Sequence, residues 1–385
     1  MKALLFQKKE ARFAAAAVAS RLRPGIGARI GPLTLTDVDE PELPGAGWHR
    51  VTTRMSGICG SDLATIDGRS ARYFEHLVSF PFVMGHEVVG ELEDGRRVIV
   101  EPVLGKAARG FDVEDGEAPA DTNDYGHLNT GQLEPGLQLG SCASTGGAWA
   151  ESFIAHDSML HFIDDELDDR AAVIVEPIAA GVHAALKTHV PDGGTVAVIG
   201  AGMMGLAATA ALRRFTNAGT IIVGAKYPHQ RVLADMAGAD LVVSPDELTR
   251  AARRVVGCGV IGQRLSGGTD AVIDAVGSGS SINQAVGMTR PRGRVVMLGM
   301  PGTESVDMTA VWHRETELVG AYCYGTEHHH GDNVHTFELA TQLVKELDLG
   351  RLVTSTHRID DYVDAIDHAS QAGLRQGVRV AFDFT

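Results

Sequence analysis

The chain has 385 residues, 44% hydrophobic and 22% charged, with a formal net charge of −15 at pH 7. That length is more than one hydrophobic core ordinarily serves and predicts two domains of a soluble globular protein. The acidic balance argues against nucleic acid as a partner, and the absence of any apolar run of about 18 residues argues against a membrane span.

At the amino terminus, MKALLFQKKE lacks the apolar core of a secretory signal, and the alanine-rich ARFAAAAVAS reads as a local helix. Cys59, Cys142, Cys258 and Cys323 stand far apart with no CxxC pair. Their scatter fits a reducing, cytoplasmic setting and not a disulfide framework. Residues 1–160 carry short β-like pieces such as GWHRVTTRMSGI and GELEDGRRVIVEP, broken by glycine and proline, which predicts an irregular, largely antiparallel β domain. The stretch 104–140 is long, polar and glycine-rich, and its composition predicts a mobile surface excursion. The rhythm then changes. TVAVIG (195–200), TIIVGA (220–225), DLVVS (240–244), AVIDAV (271–276), RVVMLG (294–299) and ELVGAY (317–322) recur with room for a helix between them. Continuously apolar strands alternating with helices predict a doubly wound parallel sheet over 181–320. The remainder, 321–385, mixes a helix (NVHTFELATQLVKEL) with a terminal strand (GVRVAFDF) and is expected to complete the first domain, 1–180.

Two sets of residues carry chemistry. GAGMMG places Gly200, Gly202 and Gly205 in GxGxxG spacing between a strand and a helix whose apolar stripe includes Met203 and Leu206. The glycines allow a tight turn, close approach of a pyrophosphate and helix-on-strand packing, with phosphate on the exposed N–H groups of the helix start. Met203 and Met204, between those glycines, are candidate cofactor contacts. An acidic residue at the end of the next strand would select NAD by binding ribose hydroxyls. Here IIVGAKYPHQR puts Gly224 and Ala225 in that place, with Lys226 and Arg231 following. Small residues and cations suit a 2′-phosphate, so NADP(H) is expected in preference to NAD(H); taken alone, the two cations are ordinary surface residues.

The second set is Cys59 in SGICGSD, His86 and Glu87 in MGHEVVG, and Glu176 in VIVEPIAAG. Thiolate, imidazole and carboxylate are the donors of a catalytic zinc that keeps one position open. Singly, each has a plain explanation: a buried thiol, a core histidine, a helix-capping acid.

GICGSD, GHEVVG, EP and GAGMMG stand in the order seen in zinc-dependent medium-chain alcohol and polyol dehydrogenases. The chain resembles that family from about residue 35 to its end, through GGTDAVIDAVG and GRVVMLGMPG. The resemblance implies a GroES-like β domain carrying zinc, a Rossmann domain, and a cleft holding substrate and nicotinamide. It matches Cys59 and His86 to constant zinc ligands, Glu176 to the third-ligand position, and Glu87 to a carboxylate on or behind the metal. Ser61 matches the hydroxyl that takes the substrate proton. Asp62 would hold the far nitrogen of the ligand histidine. Leu298, Gly299 and Met300 join the candidate cofactor contacts. The histidine usual after the ligand cysteine is missing, with Ala64 and Thr65 there instead. A four-cysteine structural zinc is excluded too, because 104–140 contains no cysteine.

The expected protein is therefore an enzyme with one catalytic zinc. It interconverts a small alcohol or polyol and its carbonyl with NADP(H), as a homodimer or homotetramer. A zinc-independent quinone or enoyl reductase and a non-catalytic NADPH-binding protein are the rival readings. His328, His329 and His330 in EHHHGD are expected in a solvated loop, and Trp149 either in the core or lining the cleft. Cys142, Cys258 and Cys323 are expected to be inert.

Overall fold

The computed structural model describes residues 1–114, 116–262 and 264–385. The chain forms two compact units, Met1–Glu176 with Val344–Thr385, and Pro177–Leu343.

The first unit is built on a seven-stranded sheet. Its central strand, Trp48–Gly57, is rich in β-branched and aromatic residues at inward positions. It pairs antiparallel with Val88–Leu92 and Ser152–His156 over most of its length, and with Arg379–Asp383 at its carboxyl end. Arg97–Val100 and Leu160–Phe162 extend the sheet past Val88–Leu92, while Val353–His357 lies parallel to Arg379–Asp383. One apolar cluster gathers Val51, Val88, Val100, Leu104 and Phe153. A second gathers Phe6, Ile58, Met84, Trp149, Ile366 and Phe382. Each fully buried side chain of this size contributes about 1.5–3 kcal/mol. The register sets Ser56 opposite both Val88 and Phe382. Three chain segments therefore meet at one end of the sheet: Cys59 just past the central strand, Glu87 just before the second, and Arg379 opening the third.

The segment 104–140 corrects its expectation as a loose excursion. The Arg109 guanidinium is 1% exposed and donates to five main-chain carbonyls, those of Leu104, Thr130, Leu133, Glu134 and Gly136. Leu104, Leu133 and Leu139 join the first apolar cluster beside Cys142. Composition counted the polar residues here and gave too little weight to the leucines spaced among them. Asp115, within the acidic stretch, lies outside the described residues.

The second unit holds a six-stranded parallel sheet in the order Leu241–Val243, Thr220–Gly224, Thr195–Ile199, Thr269–Asp274, Thr289–Met297, Glu317–Gly320. It grows outward in both directions from Thr195–Ile199, so the carboxyl ends of that strand and of Thr269–Asp274 form the switch point where such sheets bind ligands. The helix Met203–Phe215 buries Met203, Leu206, Ala207, Ala210 and Ala211 as its spacing predicts. The stretch 321–343 lies in this unit, not with the first as expected. Its hairpin, Thr326–His329 with Asp332–His335, is pinned by Glu327, which pairs with His183 Nδ1 and accepts from the Thr336 hydroxyl. The three consecutive histidines thus stand on a strand and its turn, with the His329 ring edge-on to Phe215. Among the described residues no helix is long and apolar enough to cross a membrane.

Candidate metal centre and cofactor loop

Cys59, His86 and Glu87 each offer a ligand atom, and these atoms lie within 4.8 Å of one another. Cys59 has extended backbone (φ −81, ψ 157) and caps the helix Gly60–Ile66. Its N–H donates to Asp62 Oδ2 at 2.9 Å, a bond that fixes the turn presenting the thiol. The other oxygen of the same carboxylate, Oδ1, lies 3.4 Å from His86 Nδ1, and both side chains are buried. One acid therefore sets the cysteine turn and faces one ring nitrogen, leaving Nε2 as the second donor of the imidazole. Burial opposes charge on His86, yet the Asp62 carboxylate and the Cys59 sulfur outweigh it and hold its pKa well above the usual imidazole value. Such a site draws positive charge, whether a proton or a metal ion.

Glu87 provides the test of fit. It is 1% exposed, and neither carboxylate oxygen accepts a hydrogen bond. Arg379 Nη1 lies 3.1 Å from Oε1 as an ion pair, off the direction a hydrogen bond needs. The space for the other oxygen exists because residue 57 is glycine: a Cβ there would sit 2.1 Å from Glu87 Oε2. Orphaned carboxylate oxygens beside a thiol and an imidazole suit a divalent cation with mixed S, N and O donors. A zinc ion fits this donor set.

Glu176 is not part of that trio of converging atoms. It lies in the first turn of the helix Val175–Leu186, near enough for its charge to act on Arg379. Glu87, next to the histidine in sequence, is a carboxylate that converges with Cys59 and His86. Sequence reading also missed Arg379. Its Nη1 donates to the Ile58 carbonyl at 2.7 Å. Burial opposes its charge, but Glu87, Cys59 and Glu176 together raise its pKa above the ordinary value. The available signal was an arginine inside the apolar run GVRVAFDF, since a buried charge requires partners.

Ser61 is half-buried in the first turn of the cysteine helix. One turn on, the Thr65 hydroxyl donates to the Ser61 carbonyl at 3.0 Å and pairs with the Ser70 hydroxyl at 2.7 Å. Trp149 is wholly buried, which places it in the core.

In the second unit the candidate cofactor residues gather along the carboxyl edge of the parallel sheet. Gly200 follows Thr195–Ile199 with φ +95, open to glycine and costly for other residues. A Cβ at Gly205 would lie 1.9 Å from the Gly200 oxygen, whereas at Gly202 nothing lies within 4 Å. The third glycine thus permits the helix to pack, and the second leaves its backbone approachable. Met203 is buried and Met204 half-buried. Leu298 and Gly299 both donate their N–H to the Asp274 carbonyl, at 2.9 and 2.8 Å, and Met300 beyond them is exposed. Gly224 and Ala225 are buried, Lys226 and Arg231 exposed. Arg231 Nε donates to the Ala225 carbonyl at 3.2 Å, and Lys226 Nζ lies 5.4 Å from the Tyr227 ring centre. Asp246 stands nearby, its pKa lowered by the Ser244 hydroxyl first and in small part by Arg231.

Comparison with known proteins agrees with this architecture. Residues 45–165 match the family model described as an alcohol dehydrogenase GroES-like domain, and residues 203–346 match that of a zinc-binding dehydrogenase. Together they span more than half of the chain. The sorbitol dehydrogenase of Bacillus subtilis (strain 168) is 28% identical over 356 residues, covering 89% of this chain and 90% of that protein. The L-threonine 3-dehydrogenase of Anaeromyxobacter dehalogenans (strain 2CP-C) is 28% identical over 343 residues, covering 86% and 90%. The crystal structure of 2R,3R-butanediol dehydrogenase from Bacillus subtilis superposes with a TM-score of 0.73 at 21% identity, covering 100% of this chain and 99% of that one. With its GroES-like sheet, its Rossmann sheet and these relatives along nearly its whole length, the chain belongs to the zinc-dependent medium-chain alcohol and polyol dehydrogenases.

Proposed function

We propose that the enzyme interconverts a small polyol or secondary alcohol and its carbonyl at the Cys59–His86–Glu87 centre, using NADP(H) in preference to NAD(H). The observation that carries the reading is the buried Glu87 carboxylate, without a hydrogen bond, beside a thiol and an imidazole. When bound, zinc supplies Lewis acidity toward the substrate oxygen and the nicotinamide exchanges hydride with its carbon.

The chain's own residues do the rest. Cys59 and His86 hold the metal, with Glu87 and Glu176 as the carboxylates available to it. Asp62 keeps His86 oriented through Nδ1 and the cysteine turn in place through its second oxygen. Ser61, two residues beyond the thiol, receives or returns the substrate hydroxyl proton. Gly200, Gly202 and Gly205 open the turn for a pyrophosphate, flanked by Met203 and Met204, while Leu298, Gly299 and Met300 line the same sheet edge. Gly224 and Ala225 stand where an NAD-selecting acid would be, and Lys226 and Arg231 supply positive charge for a 2′-phosphate.

The test uses protein purified without a histidine tag. We expect about one zinc per chain, turnover on a panel of secondary alcohols and polyols, and kcat/KM higher with NADP than with NAD. Cys59→Ala and His86→Ala should lose both zinc and turnover while circular dichroism stays native. Full turnover in a zinc-free variant would refute the metal assignment, and equal or better use of NAD would refute the cofactor preference.

A further inference from the structure

We infer that Trp149 is a positioning residue for the metal centre, joining the two chain segments that carry its ligands. It rests on the reading of Cys59 and His86 as ligands. Those residues come from segments distant in sequence, and nothing covalent fixes one relative to the other. Trp149 touches both. Its indole Nε1–H donates to the Gly57 carbonyl at 3.1 Å, two residues before Cys59. Its main-chain N–H donates to the Met84 carbonyl at 2.8 Å, two residues before His86. The ring lies so close to Gly85 that a Cβ there would sit 2.3 Å from Trp149 Cδ1, and Gly85 has φ +96. A bulkier residue ahead of His86 would thus meet both backbone strain and the indole.

The ring is held in turn. It is 0% exposed and meets Phe382 edge-on, with centroids 5.2 Å apart and planes at 78°. Phe382 pairs with Ser56 across the sheet, whose hydroxyl donates to the Glu87 carbonyl at 2.9 Å. Trp149, Phe382 and Ser56 therefore link the Cys59 segment, the His86–Glu87 segment and the terminal strand bearing Arg379. Phenylalanine would lose the indole N–H, which acts on the segment leading to the thiol, together with part of the buried ring, whereas benzothienylalanine would lose the donor alone. Partners that hydrogen-bond a ligand directly are worth about 10–100-fold in metal affinity, and Trp149, acting through the backbone two residues from each ligand, belongs at the low end of that range.

The test is zinc affinity, measured by chelator competition on the full chain after its metal has been stripped. Trp149→Phe should weaken zinc binding about tenfold and shift the sulfur-to-metal charge-transfer band of the cobalt-loaded protein. Trp48→Phe is the control: Trp48 is 4% exposed and its Nε1 has no hydrogen-bond partner, so that change should alter thermal stability without moving zinc affinity. If Trp149→Phe fails to fold, benzothienylalanine at position 149 keeps the ring shape and removes only the donor, with the same loss expected. Wild-type affinity in a folded Trp149 variant, or an equal loss in the Trp48 control, would overturn the inference. Cys59→Ala separates the two levels. If it binds zinc as tightly as wild type, the ligand reading fails; if it loses zinc while the Trp149 variants do not, only the role of Trp149 fails.

Discussion

A single methyl group at position 57 probes the metal centre more sharply than removal of a ligand does. Gly57→Ala would drive a Cβ to within 2.1 Å of Glu87 Oε2, so the carboxylate must leave its place. The space beside Gly60, three residues along, is empty within 4 Å. We expect Gly57→Ala to weaken zinc binding at least tenfold by chelator competition, with Gly60→Ala close to wild type. Equal affinities in the two variants would show that the Glu87 position does not matter to the metal. Cys59 and His86 were legible from the chain alone because glycine-flanked motifs mark them. Arg379 was not, since an arginine near a terminus is ordinarily a surface residue and only the sheet register brings it to the thiol. Sequence order also does not say that the Glu87 carboxylate converges with Cys59 and His86.

The segment 104–140 is organised around one buried cation, Arg109. Arg109 gathers five main-chain carbonyls there. His127, 8% exposed, lies in the same element, and its Nδ1 is 3.0 Å from the Asp124 carbonyl. Burial lowers its pKa, aided by the positive charges of Arg109 and Lys106 and opposed by the bond to Asp124. The unfolded chain therefore takes up the proton first, near pH 6.5. The contribution of His127 to stability is complete above that pH and lost as pH falls below it. We expect amide exchange at Gly136, whose N–H donates to the Leu128 carbonyl, to speed up on acidification from pH 7.5 to 5.5 after correction for intrinsic rates. The change should flatten in His127→Gln. Identical acid sensitivity in the variant would assign the effect elsewhere. The parallel strands were readable because continuous apolar runs with glycine ends leave few alternatives. This segment was not, because a polar composition hides four long-range contacts made by one buried cation.

For the whole molecule, composition was enough to predict two domains and motif order enough to predict their types, but not the point where the chain leaves the second. That point was obscured because 326–335 forms a hairpin anchored by Glu327 to His183 and Thr336, contacts that no local pattern announces. The acidic net charge of −15 leaves any phosphate to be bound by local donors, such as the glycine loop and the cations after Ala225. The proposed alcohol chemistry depends on a metal ion bound by Cys59 and His86. Zinc K-edge X-ray absorption on the purified enzyme tests this most directly. We expect one sulfur scatterer at about 2.3 Å and nitrogen or oxygen scatterers at about 2.0–2.2 Å, with the sulfur lost in Cys59→Ser. A zinc environment without sulfur, or one unchanged by that substitution, would contradict the account.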